Sequence, residues 1–261
     1  MAIYSKLIEG LTNGEEHFVK VFTVNHKSRV NNRIDLPVAS VIPSAFPAEP
    51  SSYNLIGTYS SSQTFTAPED GYYQIEVFGA SGNGGNATFA NAYTKSYSCG
   101  GGGGSGAYCC SVVKLKKGDT IIIAIGAVGA ITSCTIKSSC ESYTAMQATS
   151  GANGGNAEES KYNIPGTPGI GGLGGIASGG NVSNVNGTAG STGQKGSTTS
   201  TAPTDFIGGS GGAAVVAGSN PGGNGQGARI ASGGNLTYLA GSAGLAGFCK
   251  IYRGDTNVVA A

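Results

Sequence analysis

The hydrophobic and polar positions of this chain change period along its length, and the changes divide it into blocks. Residues 1–43 alternate with a period of two, the spacing of half-buried strands. Tyr4 to Leu11 leads to the turn Thr12-Asn13-Gly14, and His17-Phe-Val-Lys-Val-Phe-Thr-Val-Asn25 follows as a second strand. After a turn at His26-Lys-Ser-Arg29, a third strand runs through Ile34, Leu36 and Val38. A linker rich in proline and serine occupies 44–52, and residues 53–261 form a second domain. Strands resume there at Tyr53 to Tyr59 and Gln63 to Thr66. The turn Pro68-Glu-Asp-Gly71 leads to Tyr72-Tyr-Gln-Ile-Glu-Val-Phe78, with Tyr73, Ile75 and Val77 on one face and Gln74 and Glu76 on the other. A hairpin is expected from Tyr108 to Leu115, through Lys116-Lys-Gly-Asp119, to Thr120–Ile125, and Phe248-Cys-Lys-Ile-Tyr252 closes the set. Antiparallel hairpins bounded by turn signals read as an all-β sandwich.

Between these strands the period becomes three. Gly187-Thr-Ala-Gly190-Ser-Thr-Gly193-Gln-Lys-Gly196 is the clearest run, joined by Gly166-Thr-Pro-Gly169-Ile-Gly-Gly172-Leu-Gly-Gly175 and Gly241-Ser-Ala-Gly244-Leu-Ala-Gly247. This is the period of the extended left-handed polyproline II class, which makes no internal hydrogen bonds. Its N–H and C=O groups point sideways and need partners, and a face of glycine lets neighbouring runs approach closely enough to supply them. Collagen does not fit, because the runs are short and interrupted and proline numbers only 9 of 261 residues. A bundle of polyglycine II helices folded from one chain, inserted between the sandwich strands, is the expected architecture.

Composition tests that picture. Glycine is 47 of 261 residues, yet glycine and proline together stay below the roughly 25–30% typical of low-complexity disorder. A hydrophobic content of 39% and a net charge of +1 also favour order. Ordering costs about 1–2 kcal/mol per residue, and more for glycine, so a lattice of hydrogen bonds must offset it and should be all-or-none. The near-zero net charge gives no reason to expect nucleic acid or an anionic membrane surface. The N-terminal segment lacks a charged start followed by an apolar core, and Thr120 to Ile131 is too short to span a bilayer. A soluble chain made in the cytoplasm is expected.

Candidate chemistry is sparse. Six cysteines show no metal spacing. Cys249 and one of Cys109-Cys110 read as buried hydrophobes, while Cys134 and Cys140 flank a short loop and are either free or, in an oxidising exterior, bonded. Gly101-x-Gly103-x-x-Gly106 matches a dinucleotide fingerprint but precedes a strand where a helix N-terminus is needed. Gly208-Gly-Ser210-Gly-Gly212 matches a nucleophile elbow, but both histidines, His17 and His26, precede it. Adjacent Glu15-Glu16 and Glu158-Glu159 read as solvated pairs. No catalytic, cofactor-binding or metal-binding residues are expected.

Two resemblances extend this reading. Leu11-Thr-Asn-Gly followed by Phe18-Val-Lys-Val-Phe-Thr-Val-Asn resembles the last three strands of a fibronectin type III domain. Residues 1–43 would then form a partial, three-stranded domain whose open face suits attachment to another virion protein or self-association. Further on come Phe65-Thr-Ala-Pro-Glu-Asp-Gly71, Ile75-Glu-Val-Phe-Gly-Ala-Ser-Gly82, Gly100-Gly-Gly-Gly-Gly-Ser-Gly106, Leu115-Lys-Lys-Gly-Asp-Thr-Ile-Ile-Ile-Ala-Ile-Gly126 and Gly247-Phe-Cys-Lys-Ile. This ordered series, over about 55–253, resembles the glycine-rich domain of phage and prophage tail proteins. The resemblance implies a jelly-roll-like sandwich carrying polyglycine II helices. A similar pairing occurs in receptor tyrosine kinases of the anaplastic lymphoma kinase type, but no kinase-like segment is present here. Tail-fibre adhesins of some T-even-like phages use glycine-helix bundles whose end loops contact the host, and phage fibres are commonly trimeric. The expectation is therefore a non-enzymatic virion adhesin with a carbohydrate or outer-protein receptor, acting outside the cell as a homo-oligomer. The alternative is a structural subunit (decoration, collar or fibre) or a bacterial surface or spore-coat protein.

The segments between glycine runs, Phe89 to Ser98, Thr132 to Met146, Ala157 to Asn163, Ser197 to Phe206 and Ala228 to Leu239, carry Tyr93, Tyr97, Tyr143, Tyr162, Phe206 and Tyr238. If the runs go back and forth, these segments emerge at the bundle ends. Each aromatic either contacts a receptor, with a flat apolar face and hydrogen-bond capacity, or shields the lattice from water.

Overall fold

A computed structural model describes residues 17–19, 39–41, 50–90, 95–161, 164–199, 203–231 and 235–254. The chain divides into two compact units, Met1–Ala48 and Glu49–Ala261. In the first, β1 (His17–Val19) pairs antiparallel with β2 (Ala39–Val41). The expected strands through Tyr4 and through Ile34, Leu36 and Val38 lie outside the described residues.

The second unit is all-β. Its main body is built from β3 (Tyr53–Tyr59), β4 (Gln63–Thr66), β5 (Gly71–Phe78), β8 (Tyr108–Leu115), β9 (Thr120–Ala124), β10 (Ile131–Lys137), β11 (Met146–Thr149), β12 (Ala177–Ser178), β13 (Ser183–Val185) and β18 (Phe248–Gly254). They form two antiparallel sheets, ordered β12-β11-β10-β9-β4 and β13-β8-β5-β18-β3. Tyr73, Ile75 and Val77 face inward, as their alternation dictates, against Ile121, Ile123, Ile136, Met146 and Ile251. The strand β10 corrects the sequence reading, which placed Thr132 to Met146 in a bundle-end connection. Thr132, Cys134 and Ile136 alternate inward while Ile131, Thr135 and Lys137 stay exposed. Serine and threonine mask that period-two signal without abolishing it.

The cysteines follow the same packing. Cys99, Cys109, Cys110, Cys134 and Cys249 are buried, Cys140 is half-exposed, and all six are free thiols. Cys134 is not bonded to Cys140. It points inward from β10, its Sγ 3.5 Å from that of Cys249, whereas Cys140 lies in the loop beyond the strand. Burial pushes the Cys109 thiol up to about 12 and that of Cys110 up to about 11. Alkylation of the native protein is therefore expected to modify Cys140 alone. Intact-mass spectra showing a second label before unfolding would contradict this packing.

Eight extended runs link these strands to a second group at the far end: 79–87, 99–107, 149–158, 167–176, 186–194, 207–213, 220–226 and 241–247. The far group comprises β6 (Thr88–Ala90), β7 (Lys95–Ser98) and β14 (Lys195–Thr198) in one sheet, and β15 (Thr204–Phe206), β16 (Gly227–Ile230) and β17 (Leu236–Leu239) in another. Successive runs alternate in direction, away from the sandwich and back. The described parts of four of the five segments expected at the bundle ends, all but 132–146, thus gather at one end, opposite the sandwich.

Within the bundle the 99–107 run is central. Its amides point in three directions in turn. Gly101, Gly104 and Ala107 donate to Gly155, Ala152 and Thr149; Cys99, Gly102 and Ser105 to Gln194, Ser191 and Thr188; Gly100, Gly103 and Gly106 to Gln226, Gly223 and Asn220. Its carbonyls accept with the same period. Ala107, Gly104 and Gly101 accept from Gly79, Gly82 and Gly85; Cys99, Gly102 and Ser105 from Gly169, Gly172 and Gly175; Gly100 and Gly103 from Gly209 and Gly212. Six neighbours result, and each of these also bonds the next around the ring, which Gly223 and Gln226 close by donating to Gly82 and Gly85. A strand in a sheet has two neighbours, so this arrangement is a lattice, not a sheet. The 241–247 run docks outside the ring, where Leu245 and Ser242 accept from Ser81 and Gly84. This explains the local composition. An outer run needs glycine only where it faces the lattice, but the central run is surrounded, and any side chain from Gly100 to Gly104 would overlap a neighbouring backbone.

Candidate functional site

The far end of the bundle is a platform closed by its own small core. Tyr97, on β7, is buried and stacks on Phe206 of β15, with ring centroids 3.7 Å apart and planes at 17°. Cys99 and Ala228 are buried with this pair, and Phe89 packs against them. Burial pushes the pKa of the Tyr97 phenol above its ordinary range, with the Cys99 thiol adding to the shift. These two aromatics thus seal the end of the lattice, and Tyr97 has little surface to offer.

Tyr238, on β17, is 52% exposed while its ring leans on Phe89 at 4.5 Å. It presents a supported but accessible aromatic surface. Nearby, Arg229 on β16 holds Asp205 on β15 through a two-pronged ion pair, Nε to Oδ1 at 2.6 Å and Nη2 to Oδ2 at 2.8 Å. That exposed pair fixes the register of the two strands more than their stability. Tyr93 and Tyr162 lie outside the described residues; they belong to the segments flanked by Ala90 and Lys95 and by the bridged pair Lys161 and Ile164.

Tyr143 is elsewhere. It sits at the edge of the sandwich, in the loop between β10 and β11, and packs against the main core. Its hydroxyl accepts from the Lys114 amide at 2.8 Å and donates to Glu141 at 3.1 Å. Burial raises its pKa first, with the Glu141 carboxylate adding to the shift. Of the four described sequence candidates, Tyr97, Phe206 and Tyr238 therefore lie at the far end of the bundle and Tyr143 at the sandwich.

Two features escaped the sequence reading. A cavity of about 380 Å³ adjoins Tyr143, lined also by Ser111, Ser142, Thr144, Gly179, Gly180 and Asn181. On the flank of the bundle, Ile170, Leu173 and Ile176 stand outward at every third position, each more than 60% exposed. The triplet glycines around them signalled the run, and the residue between them marked its outer ridge.

The enzyme-like motifs have structural explanations. Every amide of the 101–106 motif is bonded within the lattice, so none is left to cradle a phosphate. The Ser210 hydroxyl lies 3.0 Å from that of Ser191, in the middle of a run rather than on a strand-to-helix turn. Among the described residues no group of three His, Cys, Asp or Glu side chains could hold a metal ion. Comparison of the chain with protein-family models and with curated proteins finds no match.

Proposed function

We propose that this chain is a non-enzymatic phage virion protein, a tail-fibre or tail-tip adhesin that binds the bacterial cell surface through the far end of its glycine-run bundle. The runs are taken to be polyglycine II helices. The observation that carries the reading is the gathering of the described parts of four connecting segments, with Tyr238 exposed among them, at the end of a lattice whose central run is hydrogen-bonded to neighbours on every side. A rigid scaffold lets exposed loops bind without a large ordering cost. Residues 1–43 would attach the protein to other virion components, and the assembled protein would be a homo-oligomer.

A second reading, a structural virion subunit packed side by side with other copies, is favoured by the outward ridge of Ile170, Leu173 and Ile176. One experiment separates the two. Fluorescently labelled chain is expected to bind whole cells of a susceptible strain, and Tyr238→Ala to reduce that binding at least tenfold with an unchanged melting temperature. No cell binding, together with hundreds of copies per particle, supports the structural subunit. Absence from phage particles removes both.

A further inference from the structure

The cavity beside Tyr143 lies where the loop 138–145, between β10 and β11, meets the loop 179–182, which crosses from β12 in one sheet to β13 in the other. Its walls are fixed before any ligand arrives. Asn181 uses its whole side-chain amide on one residue of β8, Oδ1 accepting from the Val112 amide at 2.9 Å and Nδ2 donating to the Val112 carbonyl at 2.8 Å. Asn184 does the same for Gly180, at 2.9 and 2.7 Å. Gly179 takes φ +80°, and a side chain there would overlap the Ala145 carbonyl, so the loop closes this tightly because the residue is glycine. The Tyr143 hydroxyl pins the opposite wall to β8.

The lining selects a chemical class. Every lining residue is uncharged. Lys114 and Glu141, which bond the Tyr143 hydroxyl between them, are paired with each other at 3.1 Å outside the lining. Ser142 and Thr144 are exposed, and among the described residues their hydroxyls make no hydrogen bond. One aromatic residue, the unengaged hydroxyls of Ser142 and Thr144 and no charge match an uncharged polyhydroxylated ring, whose C–H face packs on an aromatic and whose hydroxyls need donors and acceptors. The volume lies near the lower end of the roughly 300–1,000 Å³ common for small-molecule sites and suits one or two sugar rings.

The geometry points to a neutral-saccharide site at the sandwich edge, separate from the platform carrying Tyr238. This rests on the reading of the chain as a surface-binding protein only for its biological use, not for the binding itself. The probes are the methyl glycosides of glucose, galactose, N-acetylglucosamine and rhamnose at millimolar concentration, observed by saturation-transfer NMR with the full chain. At least one glycoside is expected to receive saturation, and Ser142→Trp, which fills the cavity from an exposed position, to weaken it at least tenfold. Amide shift mapping on the unsubstituted chain gives a second readout that needs no variant. Shifts confined to Ser142, Thr144, Gly180 and Asn181 support the site. No saturation from any of the four glycosides, shifts elsewhere only, or an unaffected Ser142→Trp overturns it. Cell binding measured in parallel keeps the two claims apart: cell binding without glycoside binding removes only the cavity, and the reverse removes only the adhesin.

Discussion

Gly102→Ala is expected to abolish the ordered bundle, at a cost above about 4–5 kcal/mol, the range reserved for severe core disruption. A methyl group at this position would overlap the Ser210 carbonyl. That carbonyl already accepts from Ser191, while Gly102 itself donates to Ser191 and accepts from Gly172. Moving the 207–213 run outward to make room would also stretch the bonds from Gly209 and Gly212 to the central run and those from Gly222 and Gly225 to its own carbonyls. Close-packed interiors do not absorb such a shift. The control is Gly118→Ala in the β8–β9 turn, where φ is +92° and no atom lies within 4 Å of the added carbon. It should cost only the left-handed backbone penalty, about 1–2 kcal/mol. Amide exchange and denaturant unfolding read both. Native-like protection across 99–107 in Gly102→Ala would refute the surrounded geometry of the central run.

Tyr73→Ala should cost about 3–5 kcal/mol, the usual range for emptying a large aromatic site. The ring is fully buried in β5, edge-on to Phe65 with centroids 5.8 Å apart, and its hydroxyl donates to the Glu69 carbonyl at 2.9 Å. Tyr73→Phe keeps the packing and removes that bond, for about 1 kcal/mol. The alanine variant also tests coupling between the two halves of the unit. The 79–87 run continues directly from β5, and the 99–107 run leads directly into β8 beside it. Weakening this sheet should therefore lower protection in the bundle in the same transition. Two resolved melting steps would show that the lattice stands without the sandwich.

Much of this architecture was legible in the residues. Alternation placed Tyr73, Ile75 and Val77 inward, and Lys116-Lys-Gly-Asp119 marked the hairpin that Asp119 closes by accepting from the Lys116 amide at 2.8 Å. Triplet glycine marked the runs. The six-fold surround of the 99–107 run was not legible, because which run meets which depends on contacts far apart in sequence. The five consecutive glycines were nonetheless its signature, since a run with neighbours on every side has no open face along which to carry a row of side chains. At the site, sequence nominated aromatics by residue type. It could not separate Tyr97, buried under Phe206, from Tyr238, exposed beside Phe89, because both lie in short strands of similar composition. The cavity at Tyr143 depended on two loops 40 residues apart meeting across the sandwich edge, which no local pattern records.

The position of β18 has a consequence for how the protein is made. This strand, the last in the described chain, lies between β5 and β3 and bonds to both. A nascent chain still on the ribosome can offer β3 and β5 no partner between them, and the central amides await Asn220, Gly223 and Gln226. Folding of this unit must therefore wait until the chain has been made through β18, and contacts of such long sequence separation form slowly. Synthesis thus leaves a long interval of exposure to proteases and to self-association, in which assistance from chaperones would have its greatest effect.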